Sequence, residues 1–367
     1  MSSFWTKNLK LSLFGESHAS AVGIVIDGLP AGLEINLDLV EQEMARRRPQ
    51  SGLSTARREA DIPRILCGFY QGRTTGTPLA AVIENQNTRS QDYSSLQDIP
   101  RPGHADYTGR VRYGGFNDPR GGGHFSGRLT APLVFAGSLA KQFLALQGVA
   151  VGAHICNIGS VRDDRFDPVA LSPDLFDSLR DELPFLDSEK KEAARAVAEK
   201  AASEGDSVGG SIECAVTGLK AGLGNPFFDS VESQIASLMF SIPAVKGIEF
   251  GEGFSFCEMN GSRANDPFAF DENGKVITLT NHNGGLLGGI TSGMPLIFRV
   301  AVKPTASIFQ EQMSVSLSGK TETSLTVHGR HDPCIVPRAV PVVEAAAALA
   351  VADLLLASPG TVSEINK

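Results

Sequence analysis

The segment from Ala339 to Ala357 constrains the fold more than any other, because it reads as a long helix, rich in alanine and apolar along its length. Such a helix belongs in a core or at a subunit contact, not on a wetted surface. A second apolar helix, also well buried, is predicted from Leu129 to Leu146. Around these two, short strands and helices are interleaved without a regular β-α-β rhythm. Strands are predicted at Leu9–Phe14, Gly23–Asp27, Pro63–Phe69, Pro78–Ile83, Val149–Ile158, Gly209–Val216 and Pro295–Val302. Asn36 caps a helix through Leu37, Val40 and Met44 that Pro49 ends. Ser188 caps another, charged and solvated, through Ala201, and a third is read from Phe228 to Phe240. No internal repeat, low-complexity tract or linker breaks the chain. The expectation is a single α+β domain over residues 1–367.

Of the 367 residues, 42% are hydrophobic and 20% charged, a balance ordinary for a soluble globular enzyme. No apolar run is read as reaching the ~18 residues of a membrane span. The opening Met-Ser-Ser-Phe-Trp-Thr-Lys lacks the basic-then-apolar order of a signal peptide. The cysteines, Cys67, Cys156, Cys214, Cys257 and Cys334, are odd in number, scattered and never spaced Cys-x-x-Cys. That argues against a disulfide framework and a zinc site. The expected location is cytoplasmic, with no membrane partner.

The net charge of −8 gives no reason to expect nucleic acid as a partner. Its distribution says more. From Arg46 to Arg128 there are thirteen arginines, seven acids and no lysine, an excess of six made of arginine alone. Arginine's planar fork suits phosphate and carboxylate, although a solvated basic face has the same composition. Residues 85 to 127 lack apolar periodicity and are rich in Gly, Asp, Arg and Tyr. A compact domain seldom keeps so long an irregular stretch unless its loops have a function.

Four polar blocks concentrate the chemistry: Phe14-Gly15-Glu16-Ser17-His18, Arg101-Pro102-Gly103-His104-Ala105-Asp106, Arg120 through the glycines 121–123 to Arg128, and Gly329-Arg330-His331-Asp332-Pro333-Cys334. In the third, glycines let backbone approach a ligand, a helix N-terminus follows, and Arg128 adds a fixed charge, which together suit a phosphate. It is neither a P-loop nor a dinucleotide fingerprint, and a plain tight turn has the same look. His18, His104, His124, His328 and His331 lie in polar loops and suit proton transfer. His154, in an apolar strand, reads as a satisfied core residue. No histidines stand at metal-ligand spacing, and Ser17 is not in a Gly-x-Ser-x-Gly elbow, so metal and hydrolase readings have little support. A fifth region pairs Gly284-Gly285 and Gly288-Gly289 with the run Lys303-Pro304-Thr305-Ala306-Ser307. Paired glycines permit flat packing on a planar ring, and a cation beside hydroxyls suits a flavin and its phosphate.

Taken together, these blocks resemble the hallmarks of the chorismate synthase family. Arg-Arg-Arg-Pro at 46–49, Arg-Ser-Gln-Asp-Tyr at 89–93 and Tyr107 after the second block complete the set, in matching order and spacing from about residue 8 to 356. The resemblance implies a layered β-α-β sandwich, a homotetramer, and an anti 1,4-elimination on 5-enolpyruvylshikimate 3-phosphate with reduced FMN and no net redox change. NADPH would enter only as a source of reduced flavin. By motif, His18 would keep the reduced flavin correctly protonated, His104 would protonate the departing phosphate, and Asp332 would help the flavin take the substrate proton. Arg47, Arg57, Arg128 and Arg330 would grip the substrate's anions. His124, Ser126, Ala244, Gly288, Lys303, Pro304, Thr305, Ala306, Ser307 and Arg330 would line the flavin. Two departures stand out. Gln50-Ser51-Gly52-Leu53 is shorter than usual and lacks a base, which weighs against a nicotinamide contact there. His124-Phe125-Ser126-Gly127-Arg128 stands where many members have Arg-Ser-Ser-Ala-Arg. Two other classes fit the inventory: a flavin oxidoreductase acting on another phosphorylated acid, and an RNA-binding module built on the arginines. The absence of a nucleic-acid motif with interleaved aromatics weighs against the second.

Overall fold

The computed structural model describes residues 3–49, 60–86, 97–327 and 332–357. The N-terminal residues build an antiparallel sheet in the order Phe4–Thr6, Lys10–Gly15, Ala21–Asp27, Leu79–Glu84 and Arg64–Cys67. Alternation drives it: Val22, Ile24 and Ile26 point to one face and pair with Ile83, Ala81 and Leu79 across the ladder. All six are buried, as a side-chain period of two requires when one face meets the core.

A second antiparallel sheet runs in the order Val245–Phe250, Leu296–Val302, Gly210–Thr217, Ala150–Ile158 and Val161–Arg162. One face, with Ile212, Cys214 and Val216, joins the main core. The other is covered by Phe166, Leu171, Phe176 and Leu179, which pack on Ala215 and Ile297.

Between the sheets lie the helices Thr130–Leu146 and Val336–Leu356, with Leu37–Arg47 beside them. The layering is the expected β-α-β sandwich. Small residues let the two long helices nearly touch: a Cβ on Gly137 would lie 2.2 Å from the Cβ of Ala345. Inside this layer Glu344 is buried and accepts from Arg46 Nη2 at 2.7 Å, Lys141 Nζ at 2.5 Å and the Ala153 N–H at 3.1 Å. Burial alone would raise its pKa, but Arg46 and Lys141 hold the carboxyl down at about 2. At the far end of the last helix, Asp353 accepts the Leu9 N–H at 2.6 Å, tying that helix to the first sheet.

Several expectations are corrected. Helical segments Gly127–Leu146 and Val336–Leu356 do reach the length and apolarity of a span, with mean hydropathy 1.4 and 2.0. They are the core of this protein, 72% and 83% buried, and Glu344 and Lys141 in them need the partners that the core supplies. The helix expected from Ser188 runs Ser188–Ser203 and is capped by Asp187, whose carboxylate accepts the Glu189 N–H. The Phe228 helix begins later, at Val231, because Ser230 takes the cap position after a single tight turn. The polar stretch after residue 100 contains an unforeseen helix, Asp106–Arg112.

Candidate active site

His18 follows the second strand of the first sheet and is buried. The Ser17 hydroxyl donates to the Arg120 carbonyl at 3.1 Å, so the contact between Ser17 Oγ and His18 Nδ1, also 3.1 Å, has the ring N–H as donor. The Ser17 N–H donates to the Gly123 carbonyl. The triple glycine thus packs directly beside this histidine. Gly121 and Gly122 have φ of 61° and 97°, a region that favours glycine. A Cβ on Gly121 would lie 2.2 Å from His18 Cε1, and one on Gly122 would lie 3.1 Å from both Cε1 and Nε2 of His104. The run read as a phosphate cradle is therefore a partition between two imidazoles. The central helix begins only at Thr130, beyond Arg128.

His104 sits on the loop before the Asp106–Arg112 helix. Its Nδ1 is 2.6 Å from Asp106 Oδ1. Asp106 also accepts from Arg101 through Nε, Nη2 and the backbone N–H at 2.7, 2.8 and 3.0 Å. Burial would raise its pKa, but the hydrogen bonds from Arg101 and His104 hold this carboxyl far below the usual range. Arg101 Nη1 reaches on to Ser307 Oγ at 3.2 Å. Lys303 Nζ donates to the Gly103 carbonyl. The Lys303–Ser307 run is therefore pressed against the His104 loop. A cleft lined by Asp106, Arg110, Asn117, Gly122, Phe125 and Leu317 opens beside them.

Arg47 and Arg128, expected to grip the substrate's anions, meet on one internal carboxylate. Arg47 and Arg128 are both buried, and both clasp Asp61: Arg47 Nη1 at 2.7 Å on one oxygen, Arg128 Nη1 on the other. Arg47 Nε donates to Thr130 Oγ1 at 2.9 Å, and Arg128 Nε to Asn85 Oδ1 at 2.8 Å. Asp61 is itself buried and holds a φ of 49°, unusual for a residue with a side chain. Burial would raise its pKa, yet Arg47 and Arg128 lower it. Other arginines of the basic stretch pair likewise, Arg46 with Glu344, Arg48 with Glu41, Arg73 with Glu34 and Arg120 with Asp118. Much of the excess charge is thus answered by carboxylates within the fold.

Asp332 is tied to both halves. Its carbonyl accepts Thr305 Oγ1 at 2.6 Å, and its carboxylate accepts Arg338 Nη1, whose Nε donates to the Arg47 carbonyl at 3.1 Å. A circuit closes: His104, Asp106, Arg101, the Thr305–Ser307 run, Asp332, Arg338, Arg47, Asp61, Arg128, then Ser126, whose Oγ caps the Arg128 N–H at 3.2 Å. Gly122 lies between Ser126 and His104.

Residues assigned to the flavin divide. Ser126, Thr305 and Ser307 join the circuit, Lys303 meets its His104 loop at the Gly103 carbonyl, and Pro304 and Ala306 lie in the same run. Ala244 stands next to it, its carbonyl accepting the Lys303 N–H at 2.9 Å. One cation, two hydroxyls and an adjoining glycine-backed imidazole pair fit a phosphorylated planar cofactor in chemistry. Gly288 is on the turn between Leu286–Leu287 and Ile290–Thr291, with open space where a Cβ would stand; among the described residues no hydrogen bond joins it to the histidine loops. His124 differs too. Its Nδ1 pairs with the Gly15 carbonyl at 2.8 Å and its Nε2 with Ser3 Oγ, so the ring ties down the N-terminal strand. Arg57, Arg330, His328, His331, the 89–93 block and Gln50–Leu53 lie outside the described residues. His154 is a core residue as expected, fully buried between Asp163 and Glu213 at 3.1 Å each. Sequence reasoning missed Asp61, for which an isolated acid gives no signal, and Arg338, hidden in the apolar helix.

Two histidines held apart by glycine, beside buried arginines and within an α+β sandwich, suit an enzyme that does acid–base chemistry on a small anion. The sequence model of the family described as chorismate synthase matches residues 9–356. Chorismate synthases of Thermococcus kodakarensis and Thermococcus gammatolerans are 47% and 49% identical, each over 95% of this chain and 96% of their own length. That of Lachnoclostridium phytofermentans is 47% identical over 95% of this chain and 93% of its own. A crystal structure of chorismate synthase superposes with a TM-score of 0.77 and 27% identity, covering 98% of this chain and 96% of that one. The chain belongs to the chorismate synthase family.

Proposed function

We propose that this chain is a carbon–oxygen lyase that converts 5-enolpyruvylshikimate 3-phosphate into chorismate and inorganic phosphate by anti 1,4-elimination, as a cytoplasmic homotetramer whose whole activity resides in one domain. The observation that carries the reading is the circuit joining His104, Ser307, Asp332, Arg47, Arg128 and Ser126, drawn from distant segments. One C–H and one C–O bond of the substrate break: the C–H electrons form a new C=C bond, the ring double bond shifts, the phosphate leaves with the C–O electrons, and the substrate's oxidation level is unchanged. Reduced FMN, when bound, supplies electron density to the breaking C–O bond. Lys303, Thr305 and Ser307 would hold that group, with Ser126 and Ala244 at its border. Arg47 and Arg128 grip the substrate's phosphate and carboxylates, exchanging part of their hold on Asp61 for it. His104 presents a proton from Nε2 to the departing phosphate, while Nδ1 stays on Asp106. His18, set against Gly121, keeps the ring pocket correctly protonated through its own imidazole. Asp332, anchored by Arg338, would help the reduced flavin take the substrate proton. NADPH would enter only as a source of reduced flavin.

The rival reading, a flavin oxidoreductase, is separated by stoichiometry. With substrate, FMN and NADPH supplied, the lyase forms many chorismates per nicotinamide oxidised. One nicotinamide oxidised per product would move the chain to the oxidoreductase class.

A further inference from the structure

The carboxylate beside His104 has every acceptor position engaged. Oδ1 of Asp106 receives His104 Nδ1 and Arg101 Nη2, and Oδ2 receives Arg101 Nε and the Arg101 backbone N–H. Three donors of Arg101 spread over both oxygens, with the guanidinium charge beside them, keep this carboxylate ionised, and an ionised carboxylate can only accept. Nδ1 of His104 must therefore carry a proton. The approach of Arg101 Nη2 to that same nitrogen, 3.1 Å, is then a contact and not a hydrogen bond, since both are donors. His104 therefore gives a proton from Nε2 only as the doubly protonated ring, and is left as the neutral Nδ1–H form with its lone pair on Nε2, the atom that faces Gly122.

We propose that Asp106, clamped by Arg101, is a positioning residue for the reaction: it fixes the His104 tautomer and ring orientation so that Nε2 is the atom that exchanges protons with the ligand. Three observations support it together. The Asp106 and Arg101 side chains are only 8% and 4% exposed, so water does not compete for the geometry. The Arg101 fork engages both oxygens of Asp106, which removes the carboxylate's freedom to rotate. Arg101 also donates to Ser307, so the orientation of His104 is set relative to the Lys303–Ser307 run. Because Arg101 offsets the charge of Asp106, the pair acts chiefly by direction and not by adding negative potential. An imidazole fixed through its far nitrogen by a buried carboxylate is a recurrent way of setting tautomer in acid–base sites.

This inference rests on the reading of His104 as the proton donor, and the test keeps the two apart. Nitrogen-15 NMR of the histidine-labelled full-length protein, with the His104 signals assigned from His104→Ala, reports the tautomer without any turnover. The neutral ring should be protonated at Nδ1 in the unmodified protein. In Asp106→Asn the population should shift toward the Nε2–H form. Turnover of that variant should fall about 100-fold or more with KM within about threefold, the size expected when a histidine is held in the wrong tautomer. An Nε2–H ring in the unmodified protein overturns the proposal outright, whether or not the variant folds. So does an Asp106→Asn protein with unchanged tautomer and turnover. The double variant Arg101→Gln/Asp106→Asn, which removes both buried charges, should show the same tautomer shift; retention of Nδ1–H there also overturns it. Unchanged turnover in His104→Ala, with the tautomer as expected, would instead remove the catalytic role of His104 and leave the positioning intact.

Discussion

At the residue scale, His104 and Arg128 make opposite demands on an experiment. His104 is held from one side by Asp106 and faces glycine on the other, so its removal should leave the fold in place. His104→Ala should lower kcat by about 100- to 10,000-fold, the usual contribution of a positioned acid. Flavin titration of the same variant should still show binding. Arg128 is a different case, because it is half of the clasp on Asp61. Arg128→Ala should weaken substrate binding by a few kcal/mol, about the loss from deleting one charge-assisted partner. It should also cost stability of about 3–5 kcal/mol in urea, because it leaves a buried carboxylate with one partner fewer. Adding Asp61→Asn should recover part of that stability; a double variant no more stable than the single one would show that the clasp is not the cause. The short polar blocks singled out His18, His104, Ser126, the Lys303–Ser307 run and Asp332, which the fold brings near one another, since residues of that chemistry cannot all be explained by packing. Asp61 was not legible. A lone acid among arginines looks the same whether it bridges two of them or faces water.

Among the elements, the crossing of the two long helices is the most sensitive contact. A methyl group on Gly137 would meet Ala345 at 2.2 Å, closer than carbon atoms approach, so the helices must part. Gly137→Ala should destabilise the protein by about 1–3 kcal/mol, the usual cost of overpacking, measurable as a lower denaturation midpoint. No change would mean that the crossing yields more easily than its geometry implies. Helix starts show how far local signals reach. Asn36 caps its helix as the sequence suggests, its Oδ1 accepting the Asp38 and Leu39 N–H groups. At Asp187-Ser188 two good caps stand side by side, and the chain uses Asp187. Propensity cannot choose between them; the position of Asp187 is also fixed by its own N–H, which donates to Asp163. The apolar helices were found readily because only a few polar residues, Lys141, Glu344 and Asp353 among them, interrupt their pattern. Their apolarity also hid Glu344 and Arg338, each meaningful only through partners far away in sequence.

For the whole molecule, buried ionic groups set the pH range of stability. Burial would lower the pKa of His154, but its bonds to Asp163 and Glu213 raise it above 6.5. A raised histidine contributes stability that is full below pH 6.5 and is lost as pH rises through the raised value. Glu344 has the opposite sign: its contribution is full above 4.5 and disappears as pH falls toward about 2. Melting temperature should therefore decline on the alkaline side more steeply in the unmodified protein than in His154→Gln; parallel profiles would show that His154 is not the responsible group. A mixed α+β core was legible from two helices that had to be covered, and the layering came from the family resemblance; sheet order was not legible, because strand pairing depends on contacts across the whole chain. The central claim is that these layers hold an elimination site. Its most direct test is anaerobic turnover of 5-enolpyruvylshikimate 3-phosphate with photoreduced FMN, following chorismate absorbance and released phosphate together. Equal amounts of both products, with the flavin still reduced at the end, are expected. A folded protein that binds FMN but releases no phosphate, or that oxidises one flavin for each product formed, would contradict it.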